Sequence, residues 1–458
     1  MGVLLTLLAA FAGSPHLVVV SLDTTRADAL SCYGTPQPMV DARPAEPRTP
    51  FLDGLAAEGV RFARFFAQTP TTLSSHATLF TGRGPHGHGV VRNGFPLDPG
   101  IPTLAERLAG QGYDTRGVVG AAALEGDTGI QRGFALWDDA SPTLRGLMYQ
   151  APADEVVGRA LSAVDARASD RPLFLFVHFF DAHSPYEPPE PFRSRFLDPG
   201  YTGPWRDPES RPRQVAQGLV QGRSHAPEHA KAINGRYYGE AAWLDVQVER
   251  LVDGLRARGI LDDALLVVVG DHGEVLSERP EFGWSHGNDV SDGVLHVPLI
   301  LKAYGDVPLA RSTVVERQAA MEHLAPTLEV ALGLEPTLGQ PVWDLVRPGP
   351  VLDVEGWPEH PTRTIFQEAT KPRGQESQDA WNNLPFERAV RAGGHVVRAF
   401  PLRGRAPEVI EGDPALLAVL QPMLERWDAT APPHQDAEMA DHQRRALEAL
   451  GYLSDDDP

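Results

Sequence analysis

Three apolar runs in this chain end on side chains that bind metals or move protons. "HLVVVSLD" closes at Asp23, "LFLFVHFFDAH" carries His178, Asp181 and His183, and "ALLVVVGDHGE" closes at Asp271 and His272. Each run is short and rich in β-branched or aromatic residues, the signature of a buried strand. Between them lie "TPFLDGLAAEG", "ADEVVGRALSAVDAR" and "GEAAWLDVQVERLVDGLRARG", which read as amphipathic helices. Strand alternating with helix implies a largely parallel sheet with helices on both faces. The carboxyl ends of such strands share one edge, where ligands bind. Distant segments therefore deliver carboxylates and imidazoles to one place.

The 458 residues exceed what one ordinary core organises, and suit a large α/β domain with a smaller companion. Pro and Gly density near "DLVRPGPVLDVEGWPEHP" puts the boundary at residue 348, giving a catalytic domain over 16–348 and a C-terminal α+β subdomain with a helical tail over 349–458. There "ERAVRAGGHVVRAFPL" reads as a hairpin, and "PALLAVLQPMLERWD" and "HQRRALEALGYL" read as helices. Residues 190–235, rich in Pro, Arg and Gly, read as a surface insertion. A net charge of −20 argues against nucleic acid or an anionic membrane surface as partner. It does not exclude a small anionic substrate whose site field is set by a metal. The single cysteine, Cys32, forms no intrachain disulfide or cysteine metal site and reads as a small buried hydrophobe. Residues 1–15 read as a signal peptide cleaved near Ala12, which implies a periplasmic or extracellular protein; without cleavage it would be cytoplasmic. No other run is long and apolar enough to span a membrane.

Asp23, Asp271 and His272 suit Mg, Ca, Mn or Zn. Gly270 and Gly273 let the backbone bring both later ligands around one ion. "TPTTLSSHATLFTGR" opens a helix with two threonines. A threonine there caps the helix, but the same position favours an anion and can offer a hydroxyl for nucleophilic attack. His183 and His286 lie in loops beside Gly or Pro, as substrate-binding or proton-transferring histidines do. His178, inside "LFVHFF", reads as a satisfied core residue. His86 and His88 remain open.

The ordered segments "VVVSLDTTRADALSCYG", "TPTTLSSHATLFTGRGPHGHGV", "GYDT", "HFFDAHSPYEPP", "VVVGDHGE", "GWSHG", "HVPLIL" and "APTLEVALGL" resemble those of sulfatases in the alkaline phosphatase superfamily. That resemblance implies a three-layer αβα sandwich with a mixed, mostly parallel sheet, a small C-terminal subdomain and one divalent cation, often calcium. It implies Asp23, Asp271, His272 and Thr72 as metal ligands and Thr72 as nucleophile. It further implies His76 at an arginine position, with His76, Arg83, His183 and His286 touching substrate and His183 or His286 protonating the leaving group.

The departures from the family pattern redirect the expected chemistry. Sulfatases convert a cysteine or serine to formylglycine, an oxidation Thr72 cannot undergo. Thr24 replaces the second of the family's paired aspartates. "GAAAL", with Ala121 and Ala123, stands where sulfatases carry a Lys and a His against sulfate. Threonine is the nucleophile of phosphoester-processing relatives, some of which hold two metals; Asp181, His183 and His286 would be the candidates for a second. The expected activity is therefore metal-dependent hydrolysis of a phosphate or phosphonate ester, with residual sulfatase activity or a catalytically weak protein that binds an anionic glycan or lipid head group as alternatives.

Overall fold

The computed structural model describes residues 13–34, 48–140, 144–145, 148–149, 151–167, 170–206, 227–278, 284–348, 364–370, 387–400 and 405–432. The expected signal peptide, the boundary segment after residue 348, part of the 190–235 insertion and the helix at "HQRRALEALGYL" fall largely or wholly outside these residues.

The central sheet has eight strands: β1 (His16–Leu22), β2 (Val60–Phe62), β3 (Asp114–Val119), β4 (Leu136–Asp138), β5 (Leu173–Phe179), β6 (Ala264–Gly270), β7 (Leu299–Tyr304) and β8 (Thr313–Val315). Their spatial order is β8-β2-β7-β6-β1-β5-β3-β4. All neighbours pair in parallel except β7, which runs antiparallel to both β6 and β2. The sheet is mixed and mostly parallel, as the alternating pattern requires.

Strict alternation along the three central strands builds two cores. Leu17, Val19, Phe174, Phe176, Leu265 and Val267 face α2 (Thr72–Thr81), α3 (Leu104–Gly110) and α6 (Leu324–Ala331). Val18, Val20, Leu175, Val177, Leu266 and Val268 face α1 (Pro50–Glu58), α4 (Ala153–Asp165) and the long α5 (Pro227–Arg256). These are the three layers of an αβα sandwich. C-terminal to them, β9 (Ile365–Ala369), β10 (Glu387–Ala392), β11 (His395–Phe400) and β12 (Arg405–Glu411) form an antiparallel sheet backed by α7 (Leu417–Asp428). The expected hairpin is β10–β11, turning at Gly393 and Gly394, both at positive φ. Val390, Val397, Leu420 and Leu424 close that small core.

The register of the large sheet places the site. Leu22 pairs with Gly270 and Phe179, and Ser21 with Val269 and His178. Asp23 and Asp271 are each the next residue, so two carboxylates leave adjacent strands side by side. Gly270 is needed at this edge: a Cβ there would lie 2.6 Å from the Thr25 carbonyl oxygen.

Helix α1 shows how long-range contacts complete local structure. Its N-cap, Thr49, makes no side-chain cap. Asp245 of α5 accepts from Leu52 N (2.8 Å) and Phe51 N (3.1 Å) instead. Burial pushes the Asp245 carboxyl up to about 7, with both N–H donors opposing it. Asp245→Ala strands these donors, and urea denaturation should register a loss of about 1–3 kcal/mol; an unchanged midpoint and slope would refute the capping role.

Candidate active site

Asp23, Asp271 and His272 converge at the carboxyl edge of β1 and β6, all fully buried. Asp271 Oδ1 accepts from His272 N (2.7 Å) and Thr24 N (3.1 Å). Among the described residues, Asp271 Oδ2 and both Asp23 carboxylate oxygens have no hydrogen-bond partner. The Thr72 hydroxyl is near enough to Asp23 to draw its pKa down, though not in hydrogen-bond geometry. Burial dominates and raises both carboxyls far above the usual range. Glu274 adds to the effect at Asp23, and Asp23 adds to it at Asp271. Adjacent buried carboxylates with orphaned oxygens are what a cation site presents.

The imidazole of His272 completes that donor set. Its Nδ1 donates to the Gly273 carbonyl at 2.9 Å, which fixes the tautomer and leaves Nε2 as the donor atom. Nε2 lies 3.7 Å from Asp23 Oδ1, 3.5 Å from Asp271 Oδ2 and 3.4 Å from Thr72 Oγ1. Burial, then the nearby His286, lowers the His272 pKa well below the usual imidazole value. The ring is therefore neutral and able to ligate. Asp23, Asp271, His272 and the Thr72 hydroxyl together fit one divalent cation.

Thr72 is the first residue of α2; the N-cap residue before it, Thr71, makes no side-chain cap. Asn93 takes that duty, with Oδ1 accepting from Leu73 N at 2.8 Å. Ser75 Oγ bonds the Asp271 carbonyl (2.6 Å) and Ser21 Oγ pairs with His76 Nε2 (2.8 Å), fixing this end of α2 against β6 and β1. The hydroxyl is thus directed at the carboxylate–imidazole cluster by a helix held in place elsewhere.

Two further histidines extend the site. The ring of His286 lies 4.6 Å from that of His272, and the ring of His183 lies 4.9 Å from that of His286. His286 Nδ1 meets Glu274 Oε1 at 3.1 Å, and Tyr186 Oη donates to Glu274 Oε2 at 3.0 Å. His183 Nδ1 donates to the Ser184 carbonyl and its ring stacks on Phe180.

A family model described as Sulfatase matches residues 15–334. The chain belongs to the sulfatase family. It is an ester hydrolase with the alkaline-phosphatase-like fold and a small antiparallel C-terminal region. It is similar to an arylsulfatase of Clostridium perfringens, 23% identical over 376 residues, spanning 69% of this chain and 74% of the relative. Among solved structures it resembles a phosphonate monoester hydrolase of Agrobacterium radiobacter, with TM-score 0.65, 22% identity, and 91% of this chain and 95% of that one covered. It also resembles a protein solved with its substrate D-glucosamine-2-N,6-O-disulfate, at TM-score 0.68 and 16% identity, covering 91% and 98%.

Several expectations for this sulfatase-family site need correction. Arg83 is exposed beyond Gly82, which ends α2. At 1.5 Å per residue it stands on the order of 15 Å from Thr72, so it does not contact the substrate there. His76 does not face a ligand either: Nδ1 donates to the Thr72 carbonyl at 2.7 Å and Nε2 takes the Ser21 hydroxyl. Burial lowers its pKa far below normal, so it is no cationic substitute for arginine. Asp181, His183 and His286 do not converge as metal donors among the described residues; Asp181 Oδ1 instead accepts from Trp243 Nε1 at 3.1 Å.

His178 is not a satisfied core residue. Neither ring nitrogen is hydrogen-bonded among the described residues, and Nε2 lies 3.3 Å from Asp23 Oδ2. With His76 and Asp271 it forms a second convergent donor group, but His76 has already committed both nitrogens. His86 and His88 are structural: His86 stacks on Trp427 and meets Glu368, while His88 pairs with Thr78. Sequence reasoning missed Glu274 and Asn93. The only signal for Glu274 is its place three residues after Asp271 in "GDHGE".

The raised carboxyl pKa values set the sign of a pH test. The metal-free folded state holds more protons than the unfolded state, so its stability falls as pH rises from the unfolded carboxylate pKa toward the folded one. A bound cation replaces those protons. Adding Mn, Zn, Mg or Ca to EDTA-stripped protein should raise the thermal midpoint, and more so at about pH 8 than at about pH 6. No shift with any of these ions would refute the cation site.

Proposed function

We propose that this sulfatase-family hydrolase cleaves a phosphate or phosphonate ester through a covalent Thr72 intermediate, without formylglycine. One observation carries the reading: the Thr72 hydroxyl, on the first residue of a helix that Asn93 caps, faces His272 beside two buried carboxylates with three unpartnered oxygens. A threonine that merely capped its helix would have no reason to point there.

A divalent cation held by Asp23, Asp271, His272 and Thr72 would lower the hydroxyl pKa and neutralise the ester oxygens. With its proton given up to solvent beforehand, Thr72 Oγ1 forms the new bond to phosphorus as the bond to the leaving oxygen breaks. His286, steadied at Nδ1 by Glu274, gives the leaving oxygen its proton from Nε2; the Glu274 carboxylate stabilises the imidazolium that does so. Once neutral, His286 takes a proton from the water that attacks phosphorus in line and releases Thr72. His183, edge-on to His286, borders the leaving-group side.

Sulfate ester hydrolysis is the second reading, favoured by the family match itself. Two features weigh against it. A sulfated threonine lacks the hemiacetal breakdown by which formylglycine discharges sulfate. In addition, Ala121 and Ala123 are buried methyl groups that offer an anion nothing. An exported location is also part of our proposal, resting on the apolar N-terminal run alone.

Turnover of p-nitrophenyl phosphate, bis-p-nitrophenyl phosphate, a p-nitrophenyl phosphonate and p-nitrophenyl sulfate, each with Mn, Zn, Mg or Ca, tests the reaction class. Phosphorus esters should be preferred, and Thr72→Ala should lower kcat by about 10³-fold or more, with Thr72→Ser retaining most activity. Full activity in Thr72→Ala, or turnover of sulfate alone, would overturn the assignment.

A further inference from the structure

The turn that follows β1 is held in a conformation its own sequence disfavours. Thr24 stands at φ +47, where a branched side chain crowds its own backbone. In that pose its N–H donates to Asp271 Oδ1 at 3.1 Å. The bond joins that of His272 N on the same oxygen, and so leaves Asp271 Oδ2 on the His272 Nε2 side, 3.5 Å away, for a cation. The Thr24 side chain does not stabilise the pose: among the described residues its hydroxyl has no hydrogen-bond partner. A group from outside the turn therefore has to hold it.

Tyr237, on α5, is that group. Its Oη donates to the Thr24 carbonyl at 2.8 Å and accepts from Arg26 N at 2.9 Å. One hydroxyl thus ties together the backbone on either side of Thr25. The Tyr237 ring is fully buried and packs edge-on against Tyr186 at 5.5 Å, so the helical layer fixes where the hydroxyl lies. Arg26 is fixed in turn by ion pairs with Asp28 and Glu278 and by a bond to the Glu274 carbonyl. The next residue, Tyr238, is equally buried, yet among the described residues its hydroxyl has no hydrogen-bond partner. Burial on this helix does not by itself dictate such a clamp.

We infer that Tyr237 is a positioning residue for the cation: its hydroxyl holds the Thr24–Arg26 turn in the binding conformation before the ion arrives. The inference rests on the cation site described above. Tyr237 acts through Thr24 N–H and Asp271. Without the phenol oxygen, Thr24 would relax toward negative φ and release Asp271 Oδ1. The fraction of molecules with the donor set assembled would then fall, and the apparent affinity with it.

Calorimetric titration of the EDTA-stripped full-length protein with Mn, Zn, Mg and Ca tests this, the tightest-binding ion then being used on the variants. Tyr237→Phe keeps the ring and should weaken binding by about tenfold or more, whereas Tyr238→Phe should leave it unchanged. Thr24→Gly in the Tyr237→Phe background should recover most of the lost affinity, because glycine takes positive φ without strain. A hydroxyl needed only for folding would lower the thermal midpoint of the stripped protein and leave ion affinity where it was; that result, or no recovery with glycine, overturns the proposal. If Tyr237→Phe does not fold, Thr24→Gly alone decides. With the turn already held, glycine gains nothing and affinity should be unchanged or weaker. Binding tighter by about tenfold would mean that the ion itself forces Thr24 into place, and would overturn the clamp. Wild type that takes up none of the four ions refutes the cation site and the clamp with it, an outcome distinct from equal affinities in wild type and Tyr237→Phe.

Discussion

The repulsion between Asp23 and Asp271 is the constraint around which this molecule is arranged. Parallel pairing of β1 with β6, in register from His16 to Leu22, leaves the two carboxylates adjacent and out of water. Their three orphaned oxygens make the edge unfavourable without positive charge. The surrounding structure holds this arrangement in place. Thr24 adopts φ +47, uncommon for a β-branched residue, and its N–H binds Asp271 Oδ1. Strain of this kind collects at functional sites. Gly270 allows the Thr25 carbonyl to approach, and α2 is pinned by Ser75 and His76.

Given that cluster, the roles of its neighbours follow from hydrogen bonding. Gly273 O sets the His272 tautomer, Asn93 caps α2 in place of Thr71, and Glu274 orients His286 while being held by Tyr186. Gly273 and Glu274 share the loop after β6, while Asn93 and Tyr186 come from two other loops. The small C-terminal sheet contributes to the same rigidity: Arg391 stacks on Phe66 at 4.0 Å and pairs with Asp292, and His86 joins Glu368 to Trp427.

Most of the fold was legible in the sequence because the strands are uniformly apolar and end abruptly in polar residues. That also disclosed Asp23, Asp271 and His272, whose positions depend only on strand ends lining up. Thr72 was legible through its place before "LFTGR", and His183 and His286 through their loop settings. The errors share one cause: sequence adjacency stood in for three-dimensional direction. Arg83 belongs to a familiar motif but sits at the far end of a ten-residue helix. His76 lies one turn after Thr72 and points into the sheet. His178 looked like core because its strand is apolar, yet the register with Ser21 brings it to Asp23. Glu274 and Asn93 act through partners 12 and 20 residues away, a pairing that no local pattern encodes.

The central claim is that an unmodified threonine becomes covalently attached to the substrate's phosphoryl or phosphonyl group. Mass spectrometry of the peptide containing Thr72, after rapid acid quench during turnover of a p-nitrophenyl phosphonate, tests it most directly. The account predicts a mass for unoxidised Thr72 in resting enzyme and, in the quenched sample, an added phosphonyl group located on Thr72. An adduct on another residue, or turnover with no adduct in a variant whose second step has been slowed by His286→Ala, would contradict it.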